Sequence, residues 1–295
     1  MPVKTIAVVV THNRPALLRQ VVSALLGQSF PPHRILIVDN ACLQPATEVL
    51  SDFSGVEVVR TEVNTGGAGG FALALQEALK GSGDWVWMMD DDAVPRPTAL
   101  AALINAVSHL PEKTGALCSA VYEFGALALM HRRTFDFRLG WECPISTAQY
   151  QQERTPIDTG SFVGFFVRTE VVKAVGLPDA SFFLAYDDTD YSLKIRQAGW
   201  SIWLVPQSRI DHLRTPESRM RASPFGAKHY YNIRNRLIVV RRYADCRFLA
   251  GVIATLYGVG IWGVAQKKFS ATTIRLLVKA VCDGWFIKNG DNLGW

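Results

Sequence analysis

Hydrophobic and polar residues alternate in two distinct patterns over the first third of the chain. Four short stretches rich in apolar residues predict strands at residues 4–10, 35–38, 56–59 and 85–89, and the first and last of them have the composition of buried strands. Apolar residues at helical spacing follow the first and third runs, from Pro15 and from Phe71 onwards. This order of elements predicts an α/β fold with a doubly wound, mostly parallel sheet.

Beyond residue 92 the pattern is less regular. It predicts a helix at 97–109, a loop that enters a strand at 158–167, a helix at 191–198 and a strand at 200–205. From about Pro216 the chain becomes basic and helical. Residues 248–264 form an apolar stretch that is slightly short for a membrane span and predicts a buried or interfacial helix. The predicted organisation is a sheet domain at 1–215 and a basic and apolar helical region at 216–295.

Polar side chains stand at or just beyond the end of each of the four predicted strands. They are Thr11, Asp39, Asn64 and the triplet Asp90, Asp91 and Asp92. Because ligands of open α/β sheets bind beyond the carboxyl ends of the strands, these residues predict a nucleotide site at this edge.

The acidic triplet predicts a divalent metal site. Three adjacent carboxylates repel one another, and partial burial raises their pKa values further unless a cation compensates them. The alternative is a solvated acidic turn, since Asp is common in loops. A second acidic group, formed by Asp187, Asp188 and Asp190, precedes the helix at 191–198, where carboxylates also serve as helix caps.

Composition and charge limit the class of protein. The chain has 295 residues and a net charge of +5, and ten Lys or Arg residues stand against three acids between Arg209 and Arg247. Such a segment attracts phosphates, anionic lipid head groups or nucleic acid, but no zinc finger, recognition helix or aromatic RNA-binding motif accompanies it, which disfavours nucleic acid. Five scattered cysteines, and an N-terminal apolar run too short for a signal peptide, predict a cytoplasmic protein.

Six motifs in chain order resemble those of family 2 glycosyltransferases with the GT-A fold, in the branch that assembles bacterial polysaccharides. They are residues 8–14, Asp39-Asn40, residues 64–70, Asp90-Asp91-Asp92, residues 186–190 and His212. Residues 230–235 resemble the tyrosine and Arg-Asn motif that often follows, so the resemblance covers about residues 3 to 240. The Asp triplet and the later Asp-Asp pair are more similar to galactofuranosyltransferases than to rhamnosyltransferases.

The resemblance implies a UDP-linked donor, UDP-galactofuranose above all, and a Mn²⁺ or Mg²⁺ ion that acts as a Lewis acid on the diphosphate. Its implied ligands are Asp90, Asp92 and His212. Donor contacts would come from Asp91 at the ribose or sugar, Asp39 at the uracil, and Thr11, Arg14, Asn64, Gly66, Gly67 and Arg234 along the nucleotide and diphosphate. Without the resemblance, His212 reads as a core or surface histidine and Arg234 as a solvated cation.

The resemblance also implies how the transfer proceeds. Asp188 occupies the position of the general base that takes the acceptor proton, and Asp187 is expected to bind the acceptor. No separate nucleophile is evident, so a single displacement with inversion is expected. The implied acceptor is a saccharide, and the basic and apolar late segment indicates a lipid-linked one at the inner face of the membrane, in O-antigen or cell-wall galactan synthesis. A rhamnosyl- or other hexosyltransferase is the alternative within the family.

Three other classes compete with this interpretation. Residues 67–72 fit the glycine pattern of an NAD(P)-dependent oxidoreductase, with an acid about twenty residues on at Asp90, but they follow the third strand, whereas that pattern belongs after the first. A sugar nucleotidyltransferase requires a glycine-rich basic loop after the first strand, which residues 11–14 lack. An inactive glycan-binding scaffold is the third alternative, and metal-dependent hydrolysis of a nucleotide sugar would argue against it.

Overall fold

The computed structural model describes residues 3–215, 223–265 and 270–286. Its strands are β1 (Thr5–Thr11), β2 (Arg34–Asp39), β3 (Val56–Arg60), β4 (Trp85–Asp90), β5 (Ala93–Pro95), β6 (Thr114–Glu123), β7 (Ala126–Leu127), β8 (Arg132–Asp136), β9 (Trp141–Pro144), β10 (Thr155–Ile157), β11 (Thr159–Gly160), β12 (Phe165–Arg168) and β13 (Ser201–His212). Its helices are α1 (Pro15–Leu26), α2 (Ala46–Val49), α3 (Gly66–Ala78), α4 (Ala99–Val107), α5 (Thr169–Val175), α6 (Asp187–Gln197), α7 (Ala227–Tyr243), α8 (Arg247–Ala265) and α9 (Ala271–Phe286). Three 3₁₀ turns lie at Leu129–His131, Gln149–Gln151 and Ala180–Phe182.

The first half of the main sheet confirms the predicted parallel order. β3, β2, β1 and β4 lie side by side and pair in parallel, and α1 and α3 cross between them. Their side chains contribute to two apolar cores, one on each face of the sheet. β1, β2 and β4 are buried on both sides, which explains their continuous apolar runs, whereas β3 is the edge strand and is only partly buried.

The second half of the sheet is mixed. β12 is inserted antiparallel between β4 and β6, and β13 then pairs in parallel with β6. β13 runs on to His212, well beyond the strand predicted at 200–205. A register shift against β6 between Val205 and Arg209 accommodates Pro206, since proline is tolerated in strands at bulges. A small separate sheet is formed by β11, β8 and β9.

The three C-terminal helices pack on one another, and α7 also packs on the domain that contains the main sheet. α7 contacts both α8 and α9, and its residues share apolar clusters with them and with Phe182 and Leu193 of the preceding segment. The helix predicted at 248–264 forms as α8. The predicted boundary between residues 215 and 216 stays a prediction, because 216–222 lie outside the described residues.

Candidate active site

The parallel strands bring their polar ends to one edge of the sheet. β1 is paired on one side with β2 and on the other with β4, so that Thr11 stands opposite Asp39 and Val10 stands opposite Asp90. Asp91 and Asp92 follow directly and are buried. The edge predicted from four separate strand ends is therefore formed.

Asp90, Asp92 and His212 lie together as a candidate metal centre. One ligand atom from each residue lies within 4.8 Å of the others. His212 reaches the two carboxylates because β13 continues as far as this residue. β13 pairs with β5 so that His212 stands opposite Ala93, and the Leu213 amide donates to the Asp92 carbonyl at 2.7 Å. Two carboxylates and one imidazole form a ligand set that suits Mn²⁺ and, less specifically, Mg²⁺.

Protein groups compensate the charge of Asp92 at this centre, but they do not compensate that of Asp90. Burial raises the pKa of Asp92, but His212 and Arg14 outweigh burial and lower that pKa. Burial and the neighbouring carboxylates raise the pKa of Asp90 to about 7. Burial lowers the pKa of His212, but contacts with Asp92 and Glu123 outweigh it and raise that pKa to about 9. Asp92 Oδ1 lies 3.1 Å from His212 Nε2 without a well-aligned hydrogen bond among the described residues. A buried carboxylate oxygen without a proper donor fits a metal-ligand role.

Thr11 and Arg14 contact the same triplet from β1 and the loop that follows it. The Thr11 hydroxyl donates to Asp91 Oδ2 at 2.8 Å, and Arg14 Nη1 reaches Asp91 Oδ1 at 3.1 Å and Asp92 Oδ2 at 2.7 Å. Arg14 keeps about half of its side chain exposed, so it faces the open side of the site. Arg14 thereby supplies part of the positive charge that the triplet needs.

The sequence analysis missed Glu123, which lies behind His212. Glu123 Oε1 contacts His212 Nδ1 at 2.9 Å and His131 Nε2 at 3.1 Å, and these contacts hold the pKa of Glu123 well below its usual range. With Nδ1 engaged by Glu123, Nε2 is left to face Asp92. A carboxylate behind a ligating histidine fixes the orientation of the ring and strengthens it as a ligand. Glu123 ends β6, so its position at a strand end was the available signal.

Asp39, Asn40 and Asn64 fold the loops beside the triplet. Asp39 is fully buried and accepts hydrogen bonds from the amides of Cys42 and Ala46 and from Arg60. Asn40 donates to the Gly66 carbonyl at 2.9 Å and to Asn64 Oδ1 at 3.2 Å. These bonds give Asp39 and Asn64 a role in loop structure, and their predicted contacts with the donor stay predictions.

The glycines after Asn64 serve mainly close packing. Gly66 has a φ of +70°, and a Cβ on it would overlap the Phe183 carbonyl. A Cβ on Gly69 or Gly70 would collide with Thr65 or Val10. Gly67 faces open space and stays available for a close approach by a ligand. Within the pattern that resembled a dinucleotide fingerprint, Gly69 and Gly70 are thus explained by packing against Thr65 and against β1.

Asp187 and Asp188 begin α6, and Asp187 lies close enough to Asp90 for the two carboxylates to repel each other. Burial strongly raises the pKa of Asp187, and repulsion from Asp188 and Asp90 adds to the shift. Burial also raises the pKa of Asp188, which Arg133 opposes. Asp190, by contrast, is paired with Arg242 of α7 at 2.8 Å. The structure therefore places Asp187 beside the candidate metal centre, with Asp188 next to it in α6, and engages Asp190 in an ion pair.

The predicted diphosphate clamp at Arg234 is wrong for this structure. Arg234 is buried, and aromatic rings of α7 cover its guanidinium. Its Nη2 donates to the carbonyls of Ser181 and Phe182, and its Nε donates to the Asn235 side chain. Asn235 in turn donates to the Phe182, Leu184 and Ala185 carbonyls. The Arg-Asn pair thus holds the segment that leads into Asp187. Its position in a basic segment did not distinguish this role from an exposed one.

The fold of this chain is similar to that of solved glycosyltransferase structures. The GalNAc-T7 structure with UDP, GalNAc and Mn²⁺ matches 96% of this chain and 56% of its own at a TM-score of 0.65 and 17% identity. Residues 1–349 of Staphylococcus aureus TarS, in complex with UDP, match 95% of this chain and 80% of their own at a TM-score of 0.60 and 13% identity. These likenesses show the GT-A fold.

The sequence comparisons define the family. The model of the family described as "Glycosyltransferase like family 2" matches residues 2–227. The chain therefore belongs to this family, and the oxidoreductase alternative is set aside.

Two galactofuranosyltransferases are among the relatives in sequence. Galactofuranosyltransferase GlfT1 of Mycolicibacterium smegmatis is 31% identical over 201 residues, which cover 65% of this chain and 65% of the relative. GlfT1 of Mycobacterium tuberculosis is 31% identical over 204 residues, which cover 65% of this chain and 64% of the relative. The matches thus span somewhat less than two thirds of the relatives' length.

Proposed function

We propose that this protein is an inverting, metal-dependent glycosyltransferase that transfers galactofuranose from UDP-galactofuranose to a saccharide acceptor. The observation that carries the proposal is the meeting of Asp90, Asp92 and His212 at one edge of a GT-A sheet, with Asp187 beside Asp90 and Asp188 next to it in α6. The names of the GlfT1 relatives support the choice of sugar, the UDP in the GalNAc-T7 and TarS structures supports the choice of nucleotide, and the Mn²⁺ in the GalNAc-T7 structure supports the choice of metal.

The proposed metal site uses Asp90, Asp92 and His212. A bound Mn²⁺ or Mg²⁺ would neutralise charge on the departing diphosphate. Glu123 holds the His212 ring with Nε2 towards Asp92, and Thr11 fixes Asp91. Arg14 lies on the open side of the triplet, where a guanidinium can bind phosphate oxygens.

Asp188 is the proposed general base. The acceptor hydroxyl oxygen forms a bond to the anomeric carbon as the bond from that carbon to the diphosphate breaks, and Asp188 takes the hydroxyl proton. One displacement of this kind inverts the configuration at the anomeric carbon. Asp188 must be ionised to act, and Arg133 favours the ionised form by opposing the effect of burial on its pKa.

The donor and the metal can be tested together. We expect UDP to bind more tightly in calorimetry when Mn²⁺ is present, and UDP-galactofuranose to be the preferred donor in a panel with UDP-galactopyranose and a rhamnose donor. The double variant Asp90→Asn with Asp92→Asn should abolish the Mn²⁺ effect, whereas Asp52→Asn, at an exposed acid, should preserve it. Preferred turnover of the rhamnose donor would contradict the choice of sugar, and metal-independent turnover would contradict the metal site.

The base has its own test. Asp188→Asn should lower kcat by about 10² to 10⁴ while the affinity for UDP and Mn²⁺ stays unchanged. Unchanged turnover would exclude Asp188 as the base. Proton NMR of the product should show inversion of the anomeric centre, and retention would contradict the single displacement.

A further inference from the structure

The outer surface of α8 and α9 is unusually apolar for an exposed surface. Nine of the eighteen exposed large hydrophobic side chains in the described ranges lie on these two helices, and among them Phe248, Val264 and Phe286 are 77–90% exposed. Leu249, Leu256 and Val259 recur at helical spacing along the outer side of α8. An exposed apolar patch of this kind marks an interaction surface.

The inner side of α8 shows that the helix lies flat on the protein. Ala250, Gly251, Ala254 and Gly258 face inward, a Cβ on Gly251 would collide with Trp285, and one on Gly258 would come within 2.9 Å of Ile233. α8 is long and apolar enough to cross a membrane by length and composition alone. Crossing would break this close packing against α7 and α9, whereas lying in the plane of an interface would preserve it.

Positive charge lies beside the apolar surface. The described residues from 223 onwards contain eight Lys or Arg residues and two acids, whereas the rest of the chain has slightly more acids than bases. Arg234 is buried and Arg242 is paired with Asp179 and Asp190, so the exposed charge is carried by residues such as Arg247. A cavity of about 850 Å³ lies between α6, α7 and the start of α8. It is lined by four basic residues, among them Arg241 and Arg247, and by two acids, and Phe286 reaches it from α9. Apolar side chains beside a basic rim match an anionic bilayer, in which acyl chains lie beneath phosphates.

We propose that the outer surface of α8 and α9, with the basic cavity beside Arg247, binds an anionic phospholipid bilayer with both helices parallel to the interface. A second copy of the chain would bring two basic rims together, which charge repulsion opposes. A bilayer with anionic head groups satisfies both the apolar side chains and the rim. The proposal goes beyond the proposed reaction, because this binding requires neither donor nor metal.

Vesicle co-sedimentation of the full chain tests the proposal without substrates. We expect binding to vesicles that contain phosphatidylglycerol, weaker binding to pure phosphatidylcholine, and release by salt. Leu256→Glu should weaken binding at least about tenfold, because it removes an inserted side chain and adds repulsion. Leu26→Glu places the same charge on an exposed leucine of α1 and should leave binding unchanged.

A charge reversal at Arg247 tests the basic residues beside the apolar surface separately. Arg247→Glu should reduce binding to the anionic vesicles by about fivefold or more, and Lys113→Glu, at an exposed lysine of the sheet half, should not. Equal binding to both vesicle types, or unchanged binding by Leu256→Glu, would overturn the proposal. Dimers in sedimentation velocity that Leu256→Glu dissociates, without vesicle binding by the parent chain, would assign the surface to a second copy.

Discussion

Replacing Asn235 with alanine should both destabilise the protein and impair the active site. The Asn235 side chain is fully buried in α7, and its amide donates to the carbonyls of Phe182 at 2.9 Å and of Leu184 and Ala185 at 2.8 Å. Its oxygen accepts from Arg234 Nε at 2.8 Å. Asn235→Ala removes all of these bonds, and it leaves the buried Arg234 Nε and the partly buried Leu184 and Ala185 carbonyls without this partner.

The size of the effect follows from these contacts. The lost hydrogen bonds are worth about 1 kcal/mol each, and buried groups left unpaired cost more, so the free energy of unfolding should fall by about 3–5 kcal/mol. The bonded segment also contains three non-glycine residues with positive φ, which are Phe183 at 60°, Ala185 at 67° and Tyr186 at 65°. Such conformations cost about 1 kcal/mol or more each, and they persist only while the surroundings enforce them.

Loss of Asn235 should therefore let this segment relax, and Asp187 and Asp188 follow it directly. We expect kcat to fall by about 10² or more, because a shift of about 1 Å in a catalytic group has effects of this size. The Mn²⁺ affinity should stay within about twofold of the parent, since Asp90, Asp92 and His212 lie on strands and an adjoining loop that Asn235 does not contact.

Urea unfolding followed by tryptophan fluorescence gives the stability, and manganese titration by electron paramagnetic resonance gives the metal affinity. Asn105→Ala is the matched control, because Asn105 is exposed on α4 and its replacement should change stability by less than about 0.5 kcal/mol. The reasoning would be refuted if Asn235→Ala lost less than about 1 kcal/mol and kept its turnover.

Three further predictions concern the packing, the metal centre and the metal itself. Gly66→Ala should lower the free energy of unfolding by about 3 kcal/mol or more in urea titrations, because of its positive φ and the overlap with the Phe183 carbonyl. Gly67→Ala, at a helical position with open space, should be neutral or stabilising, and equal losses for both variants would contradict the packing. Glu123→Gln should weaken Mn²⁺ binding about 10- to 100-fold in resonance titrations while the exposed Glu153→Gln does not, and unchanged affinity would remove Glu123 from the centre. Chelation should abolish turnover and added Mn²⁺ should restore it, so full turnover in a chelator would contradict the proposed metal requirement.

The parallel half of the fold was predictable because its signals are local. β1, β2 and β4 contain continuous apolar runs that end in polar residues, β3 is rich in valine, and the doubly wound order follows from the alternation of strand and helix. The end of β13 was not predictable in the same way. Pro206 and the polar residues after it interrupt the pattern, and only the pairing with β5 and β6 shows that the strand continues to His212.

The candidate site shows the same division between local and long-range information. Asp90 and Asp92 could be predicted because they stand at the end of a buried strand, where uncompensated carboxylates are costly. Glu123 and Arg234 could not, since their roles depend on partners distant in the chain: Glu123 contacts His212, 89 residues away, and Arg234 contacts carbonyls more than 50 residues earlier. A sequence motif indicates which side chains are present, but only the fold determines whether a charged group is hydrogen-bonded to backbone carbonyls or is accessible to a ligand. Arg14 is thus the better candidate for contact with the donor diphosphate, because its guanidinium borders the open triplet while that of Arg234 is buried.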